Sequence, residues 1–182
     1  MKSVLLTIFS ATISATIFFA ASALAQDQDI ASAMSACGPK DVRLAIKPDP
    51  TQHSRSQPEA GKALAYVIED DGAANNIIGA GVTVKVGVDG AWVGAINRHN
   101  YHISLSLSPG EHHLCTNWQS RFDYQSKAVS LAHFNAEAGK VYYFRIREFG
   151  EHEIFFDLDA IDSDQGKLLI ASHSMSGSAA RK

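Results

Sequence analysis

From Gly61 to Leu158 the chain is written in short runs of alternating apolar and polar residues, each closed by turn residues. That pattern leaves few ways to fold. The runs are ALAYVIE (63–69), the two arms of VTVKVGVDGAWVGAI (82–96), YHISLSL (101–107), EHHLCTNW (111–118), 129–135, GKVYYFRIRE (139–148) and 152–158. A two-residue period places successive side chains on opposite faces of a strand. Connections this short leave little room for the crossover helices that parallel sheets need. The spacing therefore predicts a mainly β domain over residues 61–172, an antiparallel β-sandwich of about 7–8 short strands.

The flanks differ in texture. Residues 26–60 carry Pro39, Pro48, Pro50 and Pro58, four of the 5 prolines, and read as an irregular arm with one short strand at Val42 to Ile46. After the last run, Asp162 or Ser163 is placed to cap a short helix, although Gly166 weakens it. The Ser-, Gly- and Ala-rich residues 173–182 read as a disordered tail.

Turn chemistry sets the expected registers. Asp89-Gly90 is the pair that a two-residue type I′ hairpin turn selects, because both positions need positive φ. In that register Val88 faces Ala91, Val86 faces Val93 and Val84 faces Ala95, while Trp92 covers Gly87 and Lys85 sits opposite Gly94. Pro109-Gly110 suits a second tight turn. Matching the apolar faces then sets Leu107 against His112, Leu105 against Leu114, Ile103 against Thr116 and Tyr101 against Trp118. The segments EAGKALAYVI (59–68) and EAGKVYYFRI (137–146) echo one another, which a shared turn-then-strand solution explains.

The stretch SPGEHHLCTNW (108–118) holds the densest set of reactive side chains. Adjacent strand residues point to opposite faces, so His112 and His113 cannot both ligate one metal. In the hairpin register His113 shares a face with Cys115, Asn117, His102, Ser104 and Ser106. His102 is still roughly 13 Å from His113 at ~3.4 Å per residue, too far for ligands that must each lie about 2 Å from a zinc ion. His99 and His102 would need a distant histidine such as His133 or His173 to make a site. The sequence has no H-E-x-x-H, C-x-x-C or G-x-S-x-G motif, so no catalytic residue, metal or cofactor is assigned. The acidic pairs Glu151/Glu153 and Asp157/Asp159 read as solvated strand faces. Trp92, Tyr101, His102, His113 and Trp118 are the candidates for a binding surface.

The N-terminal segment MKSVLLTIFSATISATIFFAASALAQ combines Lys2, an apolar run and Ala23-Leu24-Ala25. That is the layout of a secretory signal cleaved after Ala25. Residues 26–182 then form a periplasmic or secreted protein with no remaining membrane span. In that compartment the 2 cysteines, Cys37 and Cys115, are most simply one disulfide. It would pin the arm across the polar face that carries Cys115. A net charge of −3 without a basic run excludes nucleic acid as an expected partner. The expected partner is an envelope protein or a cell-wall component.

Taken in order, GKALAYVIEDD, VDGAWVGAINRHNYHISLSLSPGEHHLC and AGKVYYFRI resemble the bacterial envelope proteins grouped as domain of unknown function 2846. The likeness covers roughly residues 61–150 and lies in the order and spacing of its pieces. The V-D-G-x-x-x-G part is also similar to surface-layer PEGA modules. The resemblance implies a β-sandwich-like envelope domain. It brings no activity and no catalytic residue, and the lipobox of some members has no counterpart here.

Overall fold

The computed structural model describes residues 35–39, 41–46, 57–70, 83–97, 101–119, 129–149, 155–176 and 178–180. The signal-like segment 1–25, His99 and the Glu151/Glu153 pair lie outside them. The strands are β1 (Leu44–Ile46), β2 (Ala63–Glu69), β3 (Thr83–Val88), β4 (Ala91–Asn97), β5 (Tyr101–Leu107), β6 (Gly110–Trp118), β7 (Val129–Ala136), β8 (Val141–Phe149), β9 (Phe155–Ile161), β10 (Ser174–Met175) and β11 (Ser178–Ala180). One helix, α1 (Ser163–Ser172), follows β9. The chain is mainly β, as the alternation requires.

Two sheets make the sandwich. One has the order β10-β5-β2-β8-β9 and the other β4-β3-β6-β7, while β1 and β11 pair separately. Their inner faces supply one core: Ala65, Val67, Ile103, Leu105, Leu107, Phe144, Ile146, Phe156 and Leu158 from the first, Val84, Val86, Val88, Ile96, Leu114 and Trp118 from the second. These are the alternate positions of each run, so the two-residue period maps directly onto the core.

The first sheet also buries its outer face. Leu64, Tyr66, Ile68 and Tyr143 pack there with Leu169 of α1. The helix starts where expected: Asp162 accepts hydrogen bonds from the backbone N–H of Asp164 (2.9 Å) and Gln165 (3.0 Å). Those bonds hold the Asp162 carboxyl below the usual aspartate range. Gly166 is there for packing, because a Cβ would lie 2.3 Å from Cγ of Tyr143.

Four expectations are corrected. First, β5 and β6 do not form a hairpin. β5 pairs with β2, Leu107 opposite Ala63, and β6 pairs with β3 and β7. The Ser-Pro-Gly turn, with Gly110 at φ 131°, carries the chain from one sheet to the other. Matching apolar faces could not reveal this. Leu105 and Leu114 satisfy the same pattern side by side in one sheet or facing each other across a core.

Second, the Asp89-Gly90 hairpin holds its expected register only next to the turn, where Val88 faces Ala91 and Gly87 faces Trp92. A bulge then shifts it, so Val86 meets Gly94, Lys85 meets Ala95 and Val84 meets Ile96. The extra residue, Val93, turns outward at 46% exposure, and Ile96 takes the core position. Third, β2 and β8 pair in parallel, Leu64 opposite Val141, so the sandwich is not purely antiparallel. These are the echoing segments, and each begins with the same turn: Lys62 N–H donates to Glu59 C=O and Lys140 N–H to Glu137 C=O, with Gly61 and Gly139 at φ 72° and 77°. Fourth, the tail is not structureless. β10 lies parallel to β5 and β11 antiparallel to β1. Backbone pairing is blind to the Ser/Ala composition that suggested disorder.

Candidate binding face

The outer face of the four-stranded sheet divides into a covered half and an open half. Cys37 and Cys115 form a disulfide with Cα atoms 5.1 Å apart, and it seats the arm over β3 and β4. Gly90 N–H donates to Ala36 C=O at 3.1 Å. The Trp92 ring is packed between Gly87 and Gly38; a Cβ on Gly38 would come within 2.5 Å of it. Trp92 Nε1–H donates to Pro39 C=O at 2.7 Å. Lys85 donates to Val42 C=O at 3.2 Å and stands 4.1 Å from the Trp92 centroid. Burial, then the nearby Arg43 charge, pushes its ammonium below the usual lysine range. Further along, the Gln119 side chain pairs with both backbone groups of Leu44, at 2.6 and 2.9 Å.

The open half is β7 with the adjoining side of β6. His113 lies opposite His133, Cys115 opposite Leu131, Asn117 opposite Val129 and Glu111 opposite Asn135. The His113 and His133 rings stack with centroids 4.8 Å apart and planes 30° apart. Val129 and Leu131 are 41% and 43% exposed. Exposed apolar residues, a histidine pair and three polar side chains, Glu111, Asn117 and Asn135, thus line one strip beside the disulfide. Among the described residues no three His, Cys, Asp or Glu side chains gather as metal ligands.

The two adjacent histidines of β6 do separate. His112 turns to the inner side, where Nδ1 lies 2.6 Å from Asp89 Oδ2 and Nε2 lies 2.8 Å from Ser108 C=O. Asp89, at φ 50°, also accepts the His113 backbone N–H at 2.9 Å. The histidine therefore ties the Asp-Gly turn to the turn between the two sheets.

The structure distributes the other candidate residues. Trp92 clamps the arm. Tyr101 packs against the core and Trp118 lies within it. His102 is on the outer face of the other sheet, 1% exposed, edge-on to Tyr66 at 6.0 Å. Ser104 and Ser106 share that face, so only His113 and Asn117 of the expected polar set accompany Cys115. Asp157 and Asp159 face Arg147 at 3.8 and 2.9 Å. Val129 and Leu131 were not singled out from the sequence, and His133 entered only as a distant histidine that could complete a site with His99 and His102, not as a neighbour of His113. Their signal is the run V-S-L-A-H-F-N-A, which carries apolar side chains on both strand faces.

Among the described residues, fold and face together define a disulfide-pinned β-sandwich whose outer face is left uncovered along β7. Comparison with family models gives no match, and comparison with curated proteins and with solved structures gives none either. Among the described residues no helix is long and apolar enough to cross a membrane. The disulfide is compatible with an extracytoplasmic setting.

Proposed function

We propose that this chain is an exported, non-catalytic binding or assembly module of a bacterial envelope, working through the outward face of β7. One observation carries the reading. Among the described residues four large apolar side chains are exposed, and two of them, Val129 and Leu131, occupy alternate positions of this strand. β7 is the outermost strand of its sheet, and sheet edges recruit extended segments of partner proteins. The partner is a protein of the envelope that lays an extended, partly apolar segment along this strip. The signal-like N-terminus, the disulfide and the likeness to domain of unknown function 2846 support the location. A second reading, a module that stacks a cell-wall sugar or peptide on its aromatic side chains, draws no support from Trp92, Tyr101 or Trp118, which are engaged in packing. The test is co-purification from envelope extracts of the native chain and of the Val129→Lys, Leu131→Lys double variant. The reading expects the native chain to retain a defined partner that the folded variant loses. Equal retention by both would remove it.

A further inference from the structure

The outer edge of β7 is open in a pattern centred on one residue. In an antiparallel sheet, alternate residues of a strand direct their backbone N–H and C=O to opposite sides. Tyr142 Oη, from the other sheet, accepts the Glu137 N–H at 3.0 Å and donates to the Asn135 C=O at 3.1 Å. The odd-numbered residues of β7 therefore turn their backbone groups away from β6, and Tyr142 caps one end of that row. Val129, Leu131 and His133 keep both groups open: β7 pairs only with β6, and no other backbone group bonds these residues among the described ones. The open row is symmetric about Leu131. β7 also lacks the devices that keep sheet edges apart, which are charges, prolines, bulges or very short strands. The β4 edge is bulged, β9 carries Asp157 and Asp159, and β10 has 2 residues. β7 runs 8 residues with no charged residue or proline and in unbroken register with β6. Val129, Leu131 and His133 are exposed, and even the inward Ser130, Ala132 and Phe134 are only half-buried.

We propose that β7 pairs antiparallel with β7 of a second copy of this chain, about a two-fold axis at Leu131, joining two four-stranded sheets into one. The inference rests on the docking reading and specifies its partner. In this register Leu131 faces the copy's Leu131, and Val129 faces the copy's His133. The open N–H and C=O groups of both strands are then all used, in about six hydrogen bonds. On the inner side Ser130 meets the copy's Ala132, small against small. The exposed apolar side chains of the two strips merge across the axis, which removes them from water. A two-fold axis sets a strand against itself, so a charged edge meets its own charge and is destabilised. The uncharged β7 escapes that penalty, whereas β9 would bring aspartates together. Pairing along one strand edge is a small contact, so the dimer is weak and reversible.

The experiment is sedimentation velocity over a range of concentrations on residues 26–182 with the disulfide intact. The native chain, Leu131→Lys, Leu131→Glu, an equimolar mixture of those two variants, and Leu168→Lys are compared, each first shown by circular dichroism to be folded. The native chain should show a reversible monomer–dimer equilibrium, and either charge at position 131 should weaken it at least tenfold. Because position 131 faces itself across the axis, the mixture should dimerise more tightly than either variant alone. Leu168→Lys, on α1, should behave as the native chain. A native chain that stays monomeric at about 1 mM would overturn the proposal, as would native dimerisation in Leu131→Lys or a mixture no tighter than its components. Failure here alongside a foreign envelope protein that still co-purifies through β7 removes the self-pairing and leaves the docking reading standing. Loss of that partner as well removes both.

Discussion

Breaking the Cys37–Cys115 bond should separate the arm from the sandwich while leaving the two-sheet core in place. The bond spans 78 residues of sequence. The chain-entropy relation for a loop of that length gives about 4.5 kcal/mol of stabilisation. For a domain of this size each kcal/mol corresponds to about 2–4 °C in Tm, so the reduced protein should melt about 10–15 °C lower. The loss should also have a local signature. Trp92 is held by Gly38, Pro39 and the charge of Lys85, whereas Trp118 is a core residue. The assay is thermal unfolding by circular dichroism with and without a thiol reductant, read beside acrylamide quenching at 20 °C. Cys37→Ala, Cys115→Ala should reproduce the reduced state. One tryptophan should become accessible to quencher well below the melting transition, and residues 35–46 should gain amide exchange before the core does. An unchanged Tm together with unchanged quenching would refute the argument that the bond pins the arm.

Three further outcomes follow from particular contacts. Gly166→Ala should destabilise by up to about 2 kcal/mol: the helix gains about 1 kcal/mol in propensity, but overpacking against the stem of Tyr143 costs about 1–3 kcal/mol, and urea unfolding reads the balance. Asp89→Ala should cost about 2 kcal/mol or more, because it removes the partner of His112 and of the His113 N–H and leaves an alanine at φ 50°; denaturant midpoints check it. Acid should weaken the fold through His102, whose pKa is pushed from 6.5 down to about 4, first by burial and second by His173. The unfolded chain then binds the extra proton, so this contribution is complete above pH 6.5 and is lost as pH falls from there toward 4. On the order of 3 kcal/mol is at stake, and His102→Phe should flatten that part of the stability–pH curve.

The sequence made most of the fold legible because a strand's two-residue period is a local property. The runs at 63–69 and 101–107, the Asp162 cap, the Gly87–Trp92 pair and the disulfide could all be read from neighbouring residues or from a count of two cysteines. What stayed hidden was pairing. Ile103, Leu105 and Leu107 needed an apolar face opposite, and nothing local says whether Leu114 meets them beside or across the core. That single ambiguity misplaced His102, Ser104 and Ser106 beside Cys115. The bulge at Val93 hid for a related reason, since Val93 and Ile96 are equally apolar and only the sheet decides which turns inward. The candidate strip was less legible still. His133 lies 20 residues beyond His113, and their adjacency depends on β6 pairing with β7.

The central claim is that the uncovered strip of β7 is where this protein meets its partner. Site-specific photo-crosslinking in intact cells tests it most directly, with the reactive group placed at position 131 on the strip or at position 168 on α1. Leu168 is the more exposed of the two, 63% against 43%, so mere accessibility favours α1. The account predicts a discrete crosslinked species from position 131 and none from position 168. Crosslinking at 168 alone, or at neither position, would contradict it.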